Sequence, residues 1–276
     1  MNATSNPTRQ LLLRHNLKAL RLPTMLSEHE KLAREAAEAN EDYHGYLLRL
    51  SEMELTNRSS NAIAGRIKQA GFPVSKEIAD FDFTLTPSLS KPRVLELCTP
   101  DWIDRHDTAC LLGNSGTGKT HLAIAIGLCA ARAGKRVKFT TAALLANHLE
   151  EMQKKYQLER VLKSLERIDL LIIDELGYLS FSRTAAELLF QVFADRYERR
   201  SILVTSNLPF DEWATVFQGE RMTAALLDRF THRCTIIELN GESYRFREST
   251  GTTRKRSAGK DQASNKEKSI VSPTAS

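Results

Sequence analysis

Eight consecutive residues, Gly113-Asn114-Ser115-Gly116-Thr117-Gly118-Lys119-Thr120, satisfy G-x-x-x-x-G-K-[ST] at every fixed position. The glycines let backbone N–H groups turn inward around phosphate oxygens, and a helix opening at His121 adds the positive end of its dipole. Lys119 brings a full charge to the outer phosphates, the Thr120 hydroxyl can ligate Mg²⁺, and His121 is counted with the loop as nucleotide-binding. An accidental glycine-rich turn is the competing reading, but the apolar run before it and the helical run after it supply the context the motif requires.

A phosphate cradle does not separate hydrolysis from binding. The second feature is Leu170-Leu171-Ile172-Ile173-Asp174-Glu175, an apolar strand ending in two carboxylates. Asp174 is suited to hold Mg²⁺ through water and Glu175 to polarise an attacking water, two tasks that need separate carboxylates at one strand end. A solvated acidic turn would have the same composition. The third feature is Ile202-Leu203-Val204-Thr205-Ser206-Asn207, an apolar strand ending in polar side chains. Asn207 or Ser206 could orient water against a γ-phosphate, and a Ser-Asn pair before Leu208-Pro209 is equally an ordinary turn.

The elements that must position these groups follow from the spacing of apolar residues. Short runs rich in Ile, Leu and Val predict strands at 109–112, 137–141, 170–174, 201–206 and 235–239, and amphipathic stretches between them predict helices near 120–133, 142–156, 184–196 and 221–231. Strand alternating with helix implies a mostly parallel sheet covered on both faces. Ahead of it, residues 1–75 read as a small all-α module of three helices. These are a leucine-rich helix before Pro23, a long stretch from Ser27 to Leu55 opened by a Ser27/Glu30 capping box, and a helix from about Ser59 to Gly71. Residues 76–106, with Phe81, Phe83, Pro87 and Pro92, read as a linker lying across the core, 107–248 as the core domain, and 249–276 as a disordered basic tail.

The chain has 276 residues, 41% hydrophobic and 26% charged, which excludes a fibrous, wholly disordered or membrane-spanning protein and makes the cytoplasm the default location. Cys98, Cys110, Cys129 and Cys234 form no C-x-x-C pair and are expected to be reduced and buried. A net charge of +5 suggests an anionic partner, but its distribution is uneven: +2 over residues 1–75, −1 over 76–246 and +4 over 247–276. Two acid-free stretches remain as candidate contacts to a phosphate backbone. One carries Arg9, Arg14, Lys18 and Arg21, the other Arg58, Arg66, Lys68 and Lys76. Solvated helix faces are the alternative. With no zinc-finger or helix-turn-helix pattern, binding of duplex DNA should be largely sequence-independent and salt-sensitive.

The order of Gly113–Thr120, Leu170–Glu175, Ser206-Asn207, Arg221 and Asp228-Arg229 resembles AAA+ ATPases of the DnaC-like branch. More closely it resembles the IstB-like helpers of insertion-sequence transposition. The likeness extends to Asp174-Glu175-Leu176-Gly177-Tyr178, Thr205-Ser206-Asn207, Ala225 to Arg229, Gly241 to Arg245 and Phe81-Asp82-Phe83. It implies an α/β fold, a P-loop AAA+ core with a parallel five-stranded sheet flanked by helices and no helical lid, plus a small N-terminal all-α domain. It further implies ATP and Mg²⁺ as ligands, ATP-dependent homo-oligomers on DNA, and recruitment of a partner transposase. By the same resemblance Gly113–Thr120 are Walker A, Asp174 and Glu175 Walker B, Asn207 the sensor I residue, and Arg229 an arginine finger, with Arg221 and Arg233 as competitors. A finger supplied by a neighbour would tie hydrolysis to assembly.

Three other readings share the phosphate loop. A helicase loader of the DnaC type would use the N-terminal helices to grip a replicative helicase. A small-molecule kinase would need an acceptor pocket, and adjacent carboxylates suit water better. A nucleotide-gated scaffold would not need Glu175.

Overall fold

The computed structural model describes residues 7–241, so the expected tail from 249 onward and the last residues of the core domain lie outside the described part. The chain divides into two compact units between Gly65 and Arg66, a point that falls inside one helix.

The first unit is built from α1 (Pro7–Ala19), α2 (Pro23–Glu38) and most of α3 (Tyr43–Ala70). Three helices are present as expected, but their boundaries differ. The Ser27/Glu30 capping box does not form, because the helix already begins at Pro23, whose fixed φ and missing N–H suit a first position. Ser27 Oγ instead donates to the Thr24 carbonyl at 3.0 Å. The cap comes from elsewhere in the chain: the buried Glu54 carboxylate on α3 accepts the backbone N–H groups of Thr24 (2.9 Å) and Met25 (3.0 Å). Burial opposes its ionisation, yet these amides and the Arg58 guanidinium together hold the carboxyl below its usual range.

The long stretch from Ser27 to Leu55 is broken at 39–42. Asn40 takes a left-handed φ of 49° there, and Asp42 Oδ1 accepts the Gly45 N–H at 2.7 Å to start α3. From that point α3 runs without a break through Ser59, where a separate third helix was expected.

In the second unit a five-stranded parallel sheet has the order β2-β3-β4-β1-β5, with β1 Thr108–Gly113, β2 Val137–Thr141, β3 Leu170–Leu176, β4 Ser201–Ser206 and β5 Cys234–Leu239. Alternate residues of each strand enter different cores. Ala109, Leu111, Leu170, Ile172 and Leu203 pack with α6 (Lys119–Arg132), whereas Cys110, Leu112, Leu171, Ile173, Ile202 and Val204 face α7 (Ala142–Lys154) and α9 (Arg183–Arg196). With both faces covered, β1, β3 and β4 carry no polar alternation, whereas the edge strands β2 and β5 expose Lys138 and Glu238. On the second face the rings of Phe193, Trp213 and Phe230 lock α9, α10 (Trp213–Phe217) and α11 (Glu220–Thr231) together, with centroids 5.7 Å apart for Phe193–Phe230 and for Trp213–Phe230.

The 76–106 segment contains α4 (Lys91–Leu97) and α5 (Asp101–Asp104), and Val94, Leu97, Trp102 and Ile103 are buried, so this stretch is part of the core as much as a connector. The helix α8 (Leu158–Glu166) was not anticipated. The four cysteines are free thiols, but of them only Cys110 is fully buried; Cys98, Cys129 and Cys234 are half-buried, contrary to expectation.

Arg196 ends α9 beneath the sheet at 3% exposure. Its guanidinium donates to the carbonyls of Leu165 (2.8 Å), Ile168 (3.0 Å) and Ser201 (2.8 Å), tying the end of α8 to the starts of β3 and β4. Burial and the neighbouring Arg200 lower its pKa to about 9, leaving it charged at neutral pH. Arg196→Met should keep the volume and orphan these carbonyls, costing about 3 kcal/mol. Thermal unfolding would register this as a loss of roughly 6–12 °C, and an unchanged midpoint would refute it.

Candidate nucleotide site

The sheet order places β4 between β1, which delivers the phosphate loop, and β3, which delivers the carboxylates. Ligands of open α/β sheets bind at the carboxyl ends of strands where the strand order reverses, and that place here lies above the end of β4. Ile173 pairs with Val204, but the next pairing is Leu176 with Ser206, so a bulge falls on Asp174 and Glu175.

Within the loop, Gly116 and Gly118 take φ of 82° and 98°, which glycine adopts at little cost. Thr117 Oγ1 donates to the Asn114 carbonyl at 2.9 Å, closing the turn on itself. Lys119 is only 7% exposed, and its Nζ donates to the carbonyls of Gly113 (2.7 Å) and Asn114 (2.8 Å), so the cation sits folded beneath the loop.

Asp174 is buried at 3% exposure, and its Oδ1 accepts the hydroxyls of Thr120 (3.1 Å) and Thr205. Thr205 Oγ1 also accepts the Glu175 N–H at 2.9 Å. Sequence reasoning gave Thr205 no role of its own; its only signal was its place just before Ser206-Asn207. Glu175 itself is exposed and holds a left-handed φ of 62°, a conformation that costs a non-glycine residue about 1–2 kcal/mol. Asn207 lies half-buried at the end of β4, and its Oδ1 is buried without a hydrogen-bond partner among the described residues. Ser206 is fully buried and donates to the Leu208 carbonyl at 3.0 Å, so of the two polar candidates Asn207 is the one with unused hydrogen-bonding capacity.

The hydroxyl of Thr120 beside the carboxylate of Asp174 is a pair of hard oxygen donors, the chemistry Mg²⁺ takes when phosphate oxygens and water complete its shell. Among the described residues no cluster of three or more His, Cys, Asp or Glu could cage a metal without such help.

His121, expected to join the nucleotide loop, is also tied to the segment before β1. Its Nε2 lies 3.0 Å from the Glu77 carbonyl, and the Phe81 ring meets it edge-on at 5.4 Å. The same ring covers Gly118, where a Cβ would lie 2.7 Å from Phe81 Cε2. Glu77 pairs with both terminal nitrogens of Arg132 at 2.6 Å, a contact that holds its carboxyl below the usual range. Residues 77–83 thus form a strap along α6, touching Gly118 and His121 at its start and Arg132 at its end.

The three arginines separate in space. α11 runs back from the strand ends toward the strand starts, so Arg221 lies in its first turn, while Arg229 and Arg233 lie where β5 begins. Thr108, the first residue of β1, accordingly donates to the carbonyls of Phe230 (2.7 Å) and Arg233 (3.2 Å). Six residues of strand span about 20 Å, so Arg229 sits at the edge of the sheet opposite its own phosphate loop. Its guanidinium carbon lies 5.9 Å from the centre of the Phe190 ring.

Of the candidate DNA contacts, all but Arg66 are exposed. Arg14 lies 3.7 Å from Glu30, Arg58 bonds Glu54 (2.8 Å) and the Arg21 carbonyl, and Arg66 donates to the Ala131 carbonyl at 2.9 Å. No helix of the described residues is long and apolar enough to cross a membrane.

Comparison with known proteins agrees with this geometry. The family model described as IstB-like ATP binding protein matches residues 15–252. The protein named as the ATP-binding protein of insertion sequence IS5376 in Geobacillus stearothermophilus is 41% identical over 83% of this chain and 91% of its own length. Its counterpart named for insertion sequence IS21 in Pseudomonas aeruginosa is 37% identical over 85% of this chain and 90% of its own. AMPPCP-bound DnaA from Aquifex aeolicus superposes with a TM-score of 0.53 at 21% identity, over 67% of this chain and 56% of that one, which shows a shared fold. A phosphate loop, a buried acid at the end of β3 and a family match over most of the sequence together make this chain a member of the IstB-like ATP binding protein family.

Proposed function

We propose that this chain is an ATP-dependent, DNA-binding regulator of transposition that acts in the cytoplasm. With ATP and Mg²⁺ it assembles into a homo-oligomer on target DNA, hydrolyses ATP to ADP and phosphate, and recruits or stimulates a partner transposase. The observation that carries the reading is the Thr120–Asp174 hydrogen bond, which brings the phosphate loop and the acidic strand end together with the exposed Glu175 beside them. The insertion-sequence names of its relatives support the biological setting.

In this reading Gly113–Thr120 hold the phosphates, with Lys119 swinging from its carbonyl partners to the outer phosphate oxygens. Thr120 and Asp174 hold Mg²⁺, which supplies positive charge to the phosphates. Glu175 takes a proton from the attacking water, and Asn207 Oδ1 orients that water. Arg229, at the wrong edge of the sheet for its own site, serves the site of a neighbouring copy, where a guanidinium offsets charge on the transferring phosphoryl group. Residues 1–75 form the DNA- and partner-binding domain, with Arg9, Arg14, Lys18, Arg21, Arg58, Arg66 and Lys68 as the basic set facing phosphates; 76–106 link it to the ATPase domain at 107–248.

Lys119→Ala should weaken ATP binding on the order of 100-fold in calorimetry, the worth of a charge-assisted contact of about 3 kcal/mol; retained affinity would overturn the site assignment. Arg229→Ala should bind ATP normally yet hydrolyse it about 1,000-fold more slowly. Mixing it with Glu175→Gln protein should restore part of the turnover, since some interfaces then pair an intact finger with an intact carboxylate. No recovery at any ratio would argue against action between subunits. ATP-loaded chain should retain duplex DNA of any sequence and capture a transposase, with retention falling steeply between about 50 and 200 mM salt. Capture of a hexameric helicase instead would favour the loader reading.

A further inference from the structure

Tyr178 lies three residues beyond Glu175 in a turn whose course is set by two unusual backbone conformations. Glu175 has φ 62° and Gly177 φ 103°, so the chain doubles back at the end of β3 instead of continuing away from it. At Gly177 a Cβ would lie 2.9 Å from Leu208 Cγ and Cδ1 and 3.1 Å from Asn207 Oδ1, so the turn is pressed against the segment leaving β4. The reversal carries the Tyr178 phenol to the phosphate loop, where its hydroxyl lies 3.0 Å from Ser115 Oγ. Ser115 sits at an unconstrained position of the loop motif, so the contact is separate from the phosphate-binding consensus.

The bond joins the loop that would hold the phosphates to the turn that carries the exposed carboxylate. A left-handed non-glycine conformation persists only where its surroundings determine it. Here the Thr205 hydroxyl fixes the Glu175 N–H from one side, and the tyrosine fixes the far end of the turn from the other. Tyr178 remains about half exposed, so its hydroxyl contributes little to packing.

We propose that the Tyr178 hydroxyl is a positioning group for hydrolysis: through Ser115 it holds the Glu175 turn at a fixed height over the phosphate site. This rests on Glu175 as the water-activating group. Displacement of a carboxylate by a fraction of an ångström is enough to slow proton transfer, because general-base catalysis needs hydrogen-bond reach of the water. Binding of the nucleotide, which depends on the loop amides and Lys119, is not affected.

The test uses the full chain as Tyr178→Phe, Ser115→Ala and the double variant. In the nucleotide-free protein, backbone hydrogen exchange over 114–117 and 175–179 should accelerate about fivefold in each single variant, the factor for one lost hydrogen bond, with no further gain in the double. The kcat for ATP should fall about fivefold or more in each variant, while in Tyr178→Phe, which leaves the loop sequence intact, the affinity for a non-hydrolysable ATP analogue stays within twofold. Unchanged exchange would show that the bond does not hold the turn. Faster exchange with unaltered kcat, weakened analogue binding with unaltered kcat, or additive losses in the double variant would each refute the positioning role. Glu175→Gln distinguishes the two layers: wild-type turnover in that variant removes the underlying reading, whatever the exchange data show for Tyr178.

Discussion

A carboxylate at 3% exposure has to be met by donors, because an ion removed from water without partners is too costly to retain. Asp174 meets this requirement with two threonine hydroxyls that come from different elements, Thr120 at the start of α6 and Thr205 near the end of β4. One buried oxygen thereby fixes the phosphate loop, the acidic strand and the strand between them in a single arrangement. The hydrogen bond from the Glu175 N–H to the same threonine extends that control by one residue. Lys119 and Thr117 likewise have partners inside the loop, so its shape does not depend on an anion being present.

The sheet supplies the rest of the constraint. Because β4 lies between β1 and β3, the ends of those two strands stand one strand width apart, and the Thr120 side chain reaches across that gap to Asp174. The bulge at Asp174–Glu175 turns one acid inward and the next outward, which is how neighbouring carboxylates come to occupy such different surroundings. On the other side of the loop, the Phe81 ring over Gly118 and the Glu77–Arg132 pair attach the strap to α6, so the residues before β1 belong to the site's scaffolding.

Much of this was legible in the sequence, for identifiable reasons. The central strands, covered on both faces, read as nearly unbroken apolar runs, and short β-branched runs marked the edge strands, so all five were placed within two residues at every end. The phosphate loop and the Asp174-Glu175 pair were legible because backbone geometry restricts them to a few residue types. Hidden features depended on partners far away in the chain. The start of α2 is capped by a glutamate 30 residues later, so the local Ser27/Glu30 signal misplaced it. The break at Asn40 is a single left-handed residue in an otherwise helical pattern. Thr205 and Tyr178 acquire their roles only once β4 is seated beside β3 and the turn has reversed. Arg229, Arg221 and Arg233 were indistinguishable as letters, and the direction of α11 separates them.

That direction has a consequence for symmetry. A phosphate loop at one edge of the sheet and an arginine about 20 Å away at the other give the subunit two unlike ends. Copies joined by fitting one end to the other stack head to tail, an arrangement that cannot close as a two-fold dimer and must either complete a ring or continue as a helix. Under the proposed action of Arg229 on a neighbour's site, an open stack has one fewer complete site than it has subunits. The terminal copy then holds its nucleotide without a neighbour's arginine, so an assembly of this kind has a chemically distinct end and with it a direction along whatever it is built upon.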